Sequence, residues 1–173
     1  MPELAAAVVQ QYTKGRLVAT DAETIRLLAE RLAAARRYCG WHVTPVREED
    51  ELTIDGPGGR LLRLPTFRLI ELVEVTENGV AIDVADLYVS PLGMVTKKSG
   101  GYWANNLGAI TVKMTHGYDS APDFDGAVLS SIDRASFASS GGRPRVVGPF
   151  QYETDGTDSE RAILDLYRLE RAP

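Results

Sequence analysis

The sequence of 173 residues predicts an α+β fold: a small helical bundle with an inserted antiparallel β subdomain, sandwich- or barrel-like, and a C-terminal extended arm plus helix. Three observations predict it. Apolar residues recur at three- and four-residue steps near both ends of the chain. Between residues 41 and 117 the period falls to two, with turn signals about every 8–12 residues. A Gly- and Pro-punctuated stretch, residues 141–152, then isolates one last helical pattern. The reading is of one domain over 1–173, with the β insertion at 41–117 and the C-terminal arm and helix at 141–173.

The first segment, Pro2 to Tyr12, is Ala-rich and reads as a short helix closed by Lys14-Gly15. It is too short to stand alone in water and must pack on something. The second helix is the clearest. Thr20 and Glu23 fit a capping box, and Ile25, Leu28, Leu32, Ala35 and Cys39 form one apolar stripe. Gly40 is a natural stop, preceded by basic residues that suit a helix C-terminus. Cys39 closes the stripe, so a buried structural thiol is expected there.

The strand region starts with a strand at Trp41–Val46. Glu51–Asp55 and Arg60–Leu64 flank Gly56-Pro57-Gly58-Gly59 and read as a hairpin with a wide turn. Phe67–Thr76 and Val80–Val84 flank Asn78-Gly79, the strongest short hairpin signal. Leu87–Ser90 and Met94–Lys97 flank Pro91-Leu92-Gly93. Ala109–His116 alternates, with Ile110, Val112 and Met114 on one face and Thr111, Lys113 and Thr115 on the other. Helix returns at Asp123–Ser139 on Phe124, Val128, Leu129, Ile132 and Ala135. Thr157 and Glu160 match a second capping box, opening a helix with Ile163, Leu164, Leu166, Tyr167 and Leu169.

Composition bounds the function. The chain is 44% hydrophobic and 25% charged, that of a globular protein able to bury a core. One cysteine allows no intramolecular disulfide, and cytosolic assembly is the expectation. No apolar run approaches the roughly 20 residues of a membrane span, and the N-terminus has no basic start of a secretory signal. The net charge of −5 argues against a general nucleic-acid binder. That charge is uneven. Residues 1–47 hold seven basic and four acidic side chains, and residues 48–99 hold five and ten. These are either two solvated faces or complementary surfaces for neighbouring copies.

Catalytic and cofactor motifs are not found. His42 and His116 are the only histidines, and neither they nor the lone cysteine have zinc-ligand spacing. His116, Asp119 and Ser120 sit too close together in one turn to serve as base, orienter and nucleophile, so His116–Asp119 reads as the bend from strand to helix. The glycines at 56–59 lack the Lys-Ser/Thr of a phosphate loop. No catalytic, cofactor or metal site is assigned.

Two segments suit contacts. Arg143 and Arg145 lie in the Gly/Pro-bounded loop, and Phe150 and Tyr152 follow with the alternation of an edge strand. They are either solvated loop residues or an arm for an acidic partner, a DNA backbone or a neighbour's sheet. The last helix either packs on its own chain or docks into a neighbour through Tyr167, Arg168, Leu169 and Arg171.

Three passages carry a resemblance. Residues 36–45 read Arg-Arg-Tyr-Cys-Gly-Trp-His-Val-Thr-Pro and end a helix. Residues 110–123 read Ile-Thr-Val-Lys-Met-Thr-His-Gly-Tyr-Asp-Ser-Ala-Pro-Asp and lead into the next. Residues 141–152 read Gly-Gly-Arg-Pro-Arg-Val-Val-Gly-Pro-Phe-Gln-Tyr. In this order, around a β insertion, they resemble the head-to-tail adaptor (head-tail connector) proteins of long-tailed bacteriophages, most of all those of actinobacterial phages. The resemblance spans nearly the whole chain.

The resemblance implies a non-enzymatic virion protein of the neck, assembled in the host cytoplasm. Such adaptors form a homo-oligomeric ring, typically of twelve copies, on the portal protein. They extend the channel through which genomic DNA passes without specific binding, and they present a surface to a stopper or head-completion protein. By position, portal contact falls on Tyr167, Arg168, Leu169 and Arg171. Arg143, Arg145, Phe150 and Tyr152 become an intersubunit or channel-side arm. No cofactor and no membrane is implied. The competing expectations are a small hydrolase using His116 with Asp119 or Asp123, and a DNA-contacting regulator using Arg143, Arg145 and the basic second helix.

Overall fold

The structure, a computed structural model, describes residues 4–139 and 158–169. The chain is α+β, a helical unit into which an antiparallel β unit is inserted. Its elements run α1 (Ala6–Tyr12), α2 (Ala22–Cys39), β1 (Arg47–Ile54), β2 (Leu61–Arg63), β3 (Leu69–Glu77), β4 (Val80–Ile82), β5 (Leu87–Val89), β6 (Met94–Lys97), β7 (Ile110–His116), α3 (Pro122–Ser139) and α4 (Asp158–Asp165).

In the helical unit, α2 and α3 pack together and α1 and α4 lie against them. Its core holds Val9 of α1, Leu32 and Cys39 of α2, and Phe124, Val128 and Ile132 of α3. The cap of α2 differs from the expected Thr20: Asp21 is the N-cap and its carboxylate accepts the Glu23 amide at 3.2 Å. Glu23 turns outward to Arg26 instead of back to the cap. The buried stripe of α2 is Thr24, Leu27, Leu32, Ala35 and Cys39, whereas Ile25 is 52% exposed. Stepping back from Cys39 at 3.6 residues per turn lands between positions 24 and 25, so the period alone does not choose between them. Gly40, left-handed at φ 83°, ends the helix as expected.

The β unit is a pair of antiparallel sheets around one core. One has the order β1-β7-β3-β4 and the other β2-β6-β5. Ile110, Val112 and Met114 of β7 are fully buried and meet Leu62 and Val95 of the smaller sheet in that core. Alternation along β7 is as the sequence predicts. Asn78 and Gly79, both with positive φ, make the β3–β4 turn. The sheets are also joined by charge. Lys97 of β6 donates to Glu77 of β3 at 2.6 Å, and the same carboxylate accepts the Ala104 amide at 2.7 Å.

Two expectations for this region are corrected. Residues 41–46 form no strand. Val43 has φ 62°, Thr44 bonds back to the His42 carbonyl, and Pro45 has no N–H to give a ladder. The first strand starts at Arg47. Nor do residues 51–55 and 60–64 form a hairpin: β1 pairs with β7, and β2 pairs with β6 in the other sheet. Residues 56–59 are instead a crossover held by residues 103–106. Gly56 donates to Asn106, Gly58 to Ala104, and Trp103 to Gly59, at 2.8–2.9 Å. A Cβ on Gly56 would lie 2.3 Å from the Ala104 carbonyl oxygen, so only glycine fits this crossing.

Candidate functional site

The site expected at the C-terminal helix is built on α2 and α3. α4 ends at Asp165, earlier than the apolar pattern suggests, and residues 166–169 continue as a turn and irregular chain. Glu160 accepts hydrogen bonds from Ser130 and Arg134 of α3. This carboxylate was expected to close a capping box with Thr157, a residue outside the described ones. Tyr38 donates to Asp165 at 2.5 Å, and Trp41 donates its indole N–H to the Tyr167 carbonyl at 2.7 Å. The Leu169 amide donates to the Cys39 carbonyl at 2.8 Å, closing the end of α2.

Of the residues singled out for portal contact, Tyr167 and Leu169 are held by their own chain. The Tyr167 hydroxyl donates to Asp123 at 2.6 Å, and its ring meets Phe124 edge-on at 5.8 Å. Leu169 packs its Cβ 3.5 Å from where a Gly40 side chain would begin. Arg168 points outward, its side chain 57% exposed, with its guanidinium over Tyr38 and 3.8 Å from Asp165. Leu166 beside it is 72% exposed. Arg171 and the arm residues Arg143, Arg145, Phe150 and Tyr152 lie outside the described residues.

Cys39 is fully buried, as its place in the stripe predicts. Burial pushes its thiol up to about 11, with Asp165 adding to the rise, and Sγ lies 3.7 Å from the Leu164 carbonyl. This is an inert structural thiol.

In the β unit, His116 is paired with Asp50. Its Nε2 lies 3.2 Å from Asp50 Oδ2, and its ring meets His42 edge-on at 4.4 Å. His116 is 2% exposed, and burial holds its pKa below the ordinary 6.5 against the opposing pull of Asp50. Asp50 is itself raised by burial, but His116 and Arg47 outweigh that and leave it low. Sequence reasoning missed this pair. The available signal was an acid on the inward, Leu52–Ile54 side of an alternating strand. Asp119 and Ser120, which follow His116 in the same turn, are exposed. Among the described residues no group of three or more His, Cys, Asp or Glu is placed to hold a metal, and no helix is long and apolar enough to cross a membrane.

No family model matches the sequence, and no curated protein matches it. Among solved structures the chain is similar to one from the neck of an empty GTA particle, computed with C6 symmetry. The TM-score is 0.62 and the identity 14%, over 98% of this chain and 91% of that one. The α+β fold described above is therefore shared along nearly the whole length of both chains.

Proposed function

We propose that this chain is a structural subunit of the neck of a tailed-phage or phage-like particle. In this reading it forms a ring on the portal, carries the DNA channel outward, and receives a stopper or head-completion protein. The single observation that supports it is the fold likeness, over 98% of the chain, to a chain from a particle neck. The sequence resemblance to adaptors of long-tailed phages, those of actinobacterial phages above all, points the same way from different residues. A ring of twelve follows from that resemblance.

The charge suits the role. Each neutralised phosphate adds affinity through counterion release, so a lumen that lets DNA slide is better built from a mildly acidic chain. Portal contact is assigned to the C-terminal segment. Arg168 and Arg171 are the contacting groups, and Tyr167 and Leu169 fix that segment to the helical unit. Arg143, Arg145, Phe150 and Tyr152 serve as the arm toward the neighbouring copy or the channel. The chain acts in the virion, after assembly in the host cytoplasm, and performs no catalysis.

The test is a size measurement of the chain mixed with purified portal. A ring-sized complex is expected, and Arg168→Glu weakens it while leaving the fold intact. No complex with wild-type protein, and no ring in the portal's presence, overturns the reading.

A further inference from the structure

The β unit has two solvent faces of opposite character. Its sheets lie on either side of one core, so each turns one side inward and one side out. On the four-stranded sheet, register sets Glu51, Lys113 and Glu74 side by side across β1, β7 and β3 on the outer side. Glu49 reaches the same Lys113 at 2.6 Å, and Glu71 pairs with Thr115. Three carboxylates, Glu49, Glu51 and Glu74, thus share one ammonium, and Glu71 adds a fourth acid to the same side. Two irregularities in β3 also turn Ile70 and Val73 outward, 52% and 38% exposed.

The outer side of the three-stranded sheet is apolar and basic. Leu61, Thr96 and Tyr88 form one row across it, and Arg63 and Met94 the next. Leu61, Tyr88 and Met94 are 37%, 64% and 39% exposed. The Lys98 ammonium stands 5.5 Å from the Tyr88 ring. None of these outward strand positions carries a carboxylate.

Clustered exposed apolar side chains do nothing for the stability of a β unit that already has its own core, and they mark contact surfaces. Like faces brought together repel: acid would meet acid, and base would meet base. Unlike faces attract, and each also has apolar side chains to bury. We propose that the outer face of the four-stranded sheet, around Glu51 and Glu74, seats on the outer face of the three-stranded sheet, around Tyr88 and Arg63, of a second copy of this chain. Such a contact is heterologous. An open series of copies keeps one free face of each kind, one at either end, so copies add head to tail until the series closes. Closure into a ring rests on the neck reading, whereas the two faces are read from this chain alone.

Charge reversal tests it. Sedimentation velocity of the full chain, at high protein concentration and low salt, is expected to show oligomers that dissociate as salt is added. Glu51→Lys with Glu74→Lys, or Arg63→Glu with Lys98→Glu, each leaves a folded monomer by circular dichroism and abolishes the oligomers. An equimolar mixture of the two variants assembles again, because alternating copies restore opposite charges at every contact. A wild type that stays monomeric overturns the proposal, as does a mixture that fails to assemble. If a reversal unfolds the chain, Glu51→Gln with Glu74→Gln and the single change Tyr88→Ser are read in the same way. Attachment to tail-less particles separates this from the neck reading. Oligomers that never attach end that reading and leave the interface standing. Attachment and oligomer size untouched by both reversals end the interface alone.

Discussion

The indole N–H of Trp41 donates to the carbonyl of Tyr167 at 2.7 Å, tying the end of α2 to the chain beyond α4. Trp41 is 6% exposed, so its donor has little access to water. Trp41→Phe keeps most of the ring and removes the donor. The expected cost is about 1–2 kcal/mol in denaturant melts. Amide exchange at Leu169, which bonds to Cys39, should speed up before the rest of the helical unit does.

Gly117 closes the β unit with φ 113°, and a Cβ there would lie 2.5 Å from His42 Nε2 and 2.9 Å from the Pro45 carbonyl oxygen. Gly117→Ala therefore meets both a backbone penalty and a collision with main chain. A loss of about 2–4 kcal/mol is expected. Wild-type melting of this variant would show that the His42 ring and the main chain at Pro45 both give way without cost.

The pH dependence of stability should carry the mark of His116. Burial depresses its folded pKa below the ordinary value, so the unfolded chain binds the extra proton first as pH falls. Its contribution is complete above the ordinary histidine range, declines as pH drops through it, and levels off below the folded pKa. Asp50, whose folded pKa is also low, adds a loss only at more acid pH. His116→Gln should flatten the first decline in urea midpoints measured from neutral to mildly acid pH. An unchanged slope would show that His116 is not its source.

Lys97 and Glu77 link the two sheets with side chains only 17% and 19% exposed. Removing one partner strands the other charge. Lys97→Met should cost about 1–3 kcal/mol, more than the double change Lys97→Met with Glu77→Gln, which keeps an acceptor for the Ala104 amide. A double-mutant cycle measures the difference, and additivity would show that the pair is not coupled.

Cys39 should resist thiol reagents in the native state at pH 8, with a thiol held near 11 and no exposed surface. Labelling should follow global unfolding as denaturant is raised. Fast labelling of folded protein would mean that the 164–169 segment opens away from α2.

Much of the fold was legible because its signals are local. The alternation of β7, the Asn78-Gly79 turn and the Gly40 stop each follow from a few neighbouring residues and came out as expected. What failed depends on distant partners. The sequence around Gly56 looks like a hairpin until Ala104 is seen to occupy the space beside it. Residues 41–46 look extended until Val43 takes a left-handed turn. At the candidate site, the basic and aromatic residue types at 167–169 were readable. Their division was not, because the acceptors of Tyr167 and the donor to its carbonyl come from Asp123 and Trp41, far along the chain.

The β unit also fastens its own entrance to its own exit. Tyr118 donates to the Val43 carbonyl at 2.8 Å, beside the His42–His116 ring contact. To the helices, everything from residue 42 to residue 120 is thus spliced in at the span of a tight turn. Such a cassette can be lengthened, trimmed or exchanged without altering the distance its host must bridge.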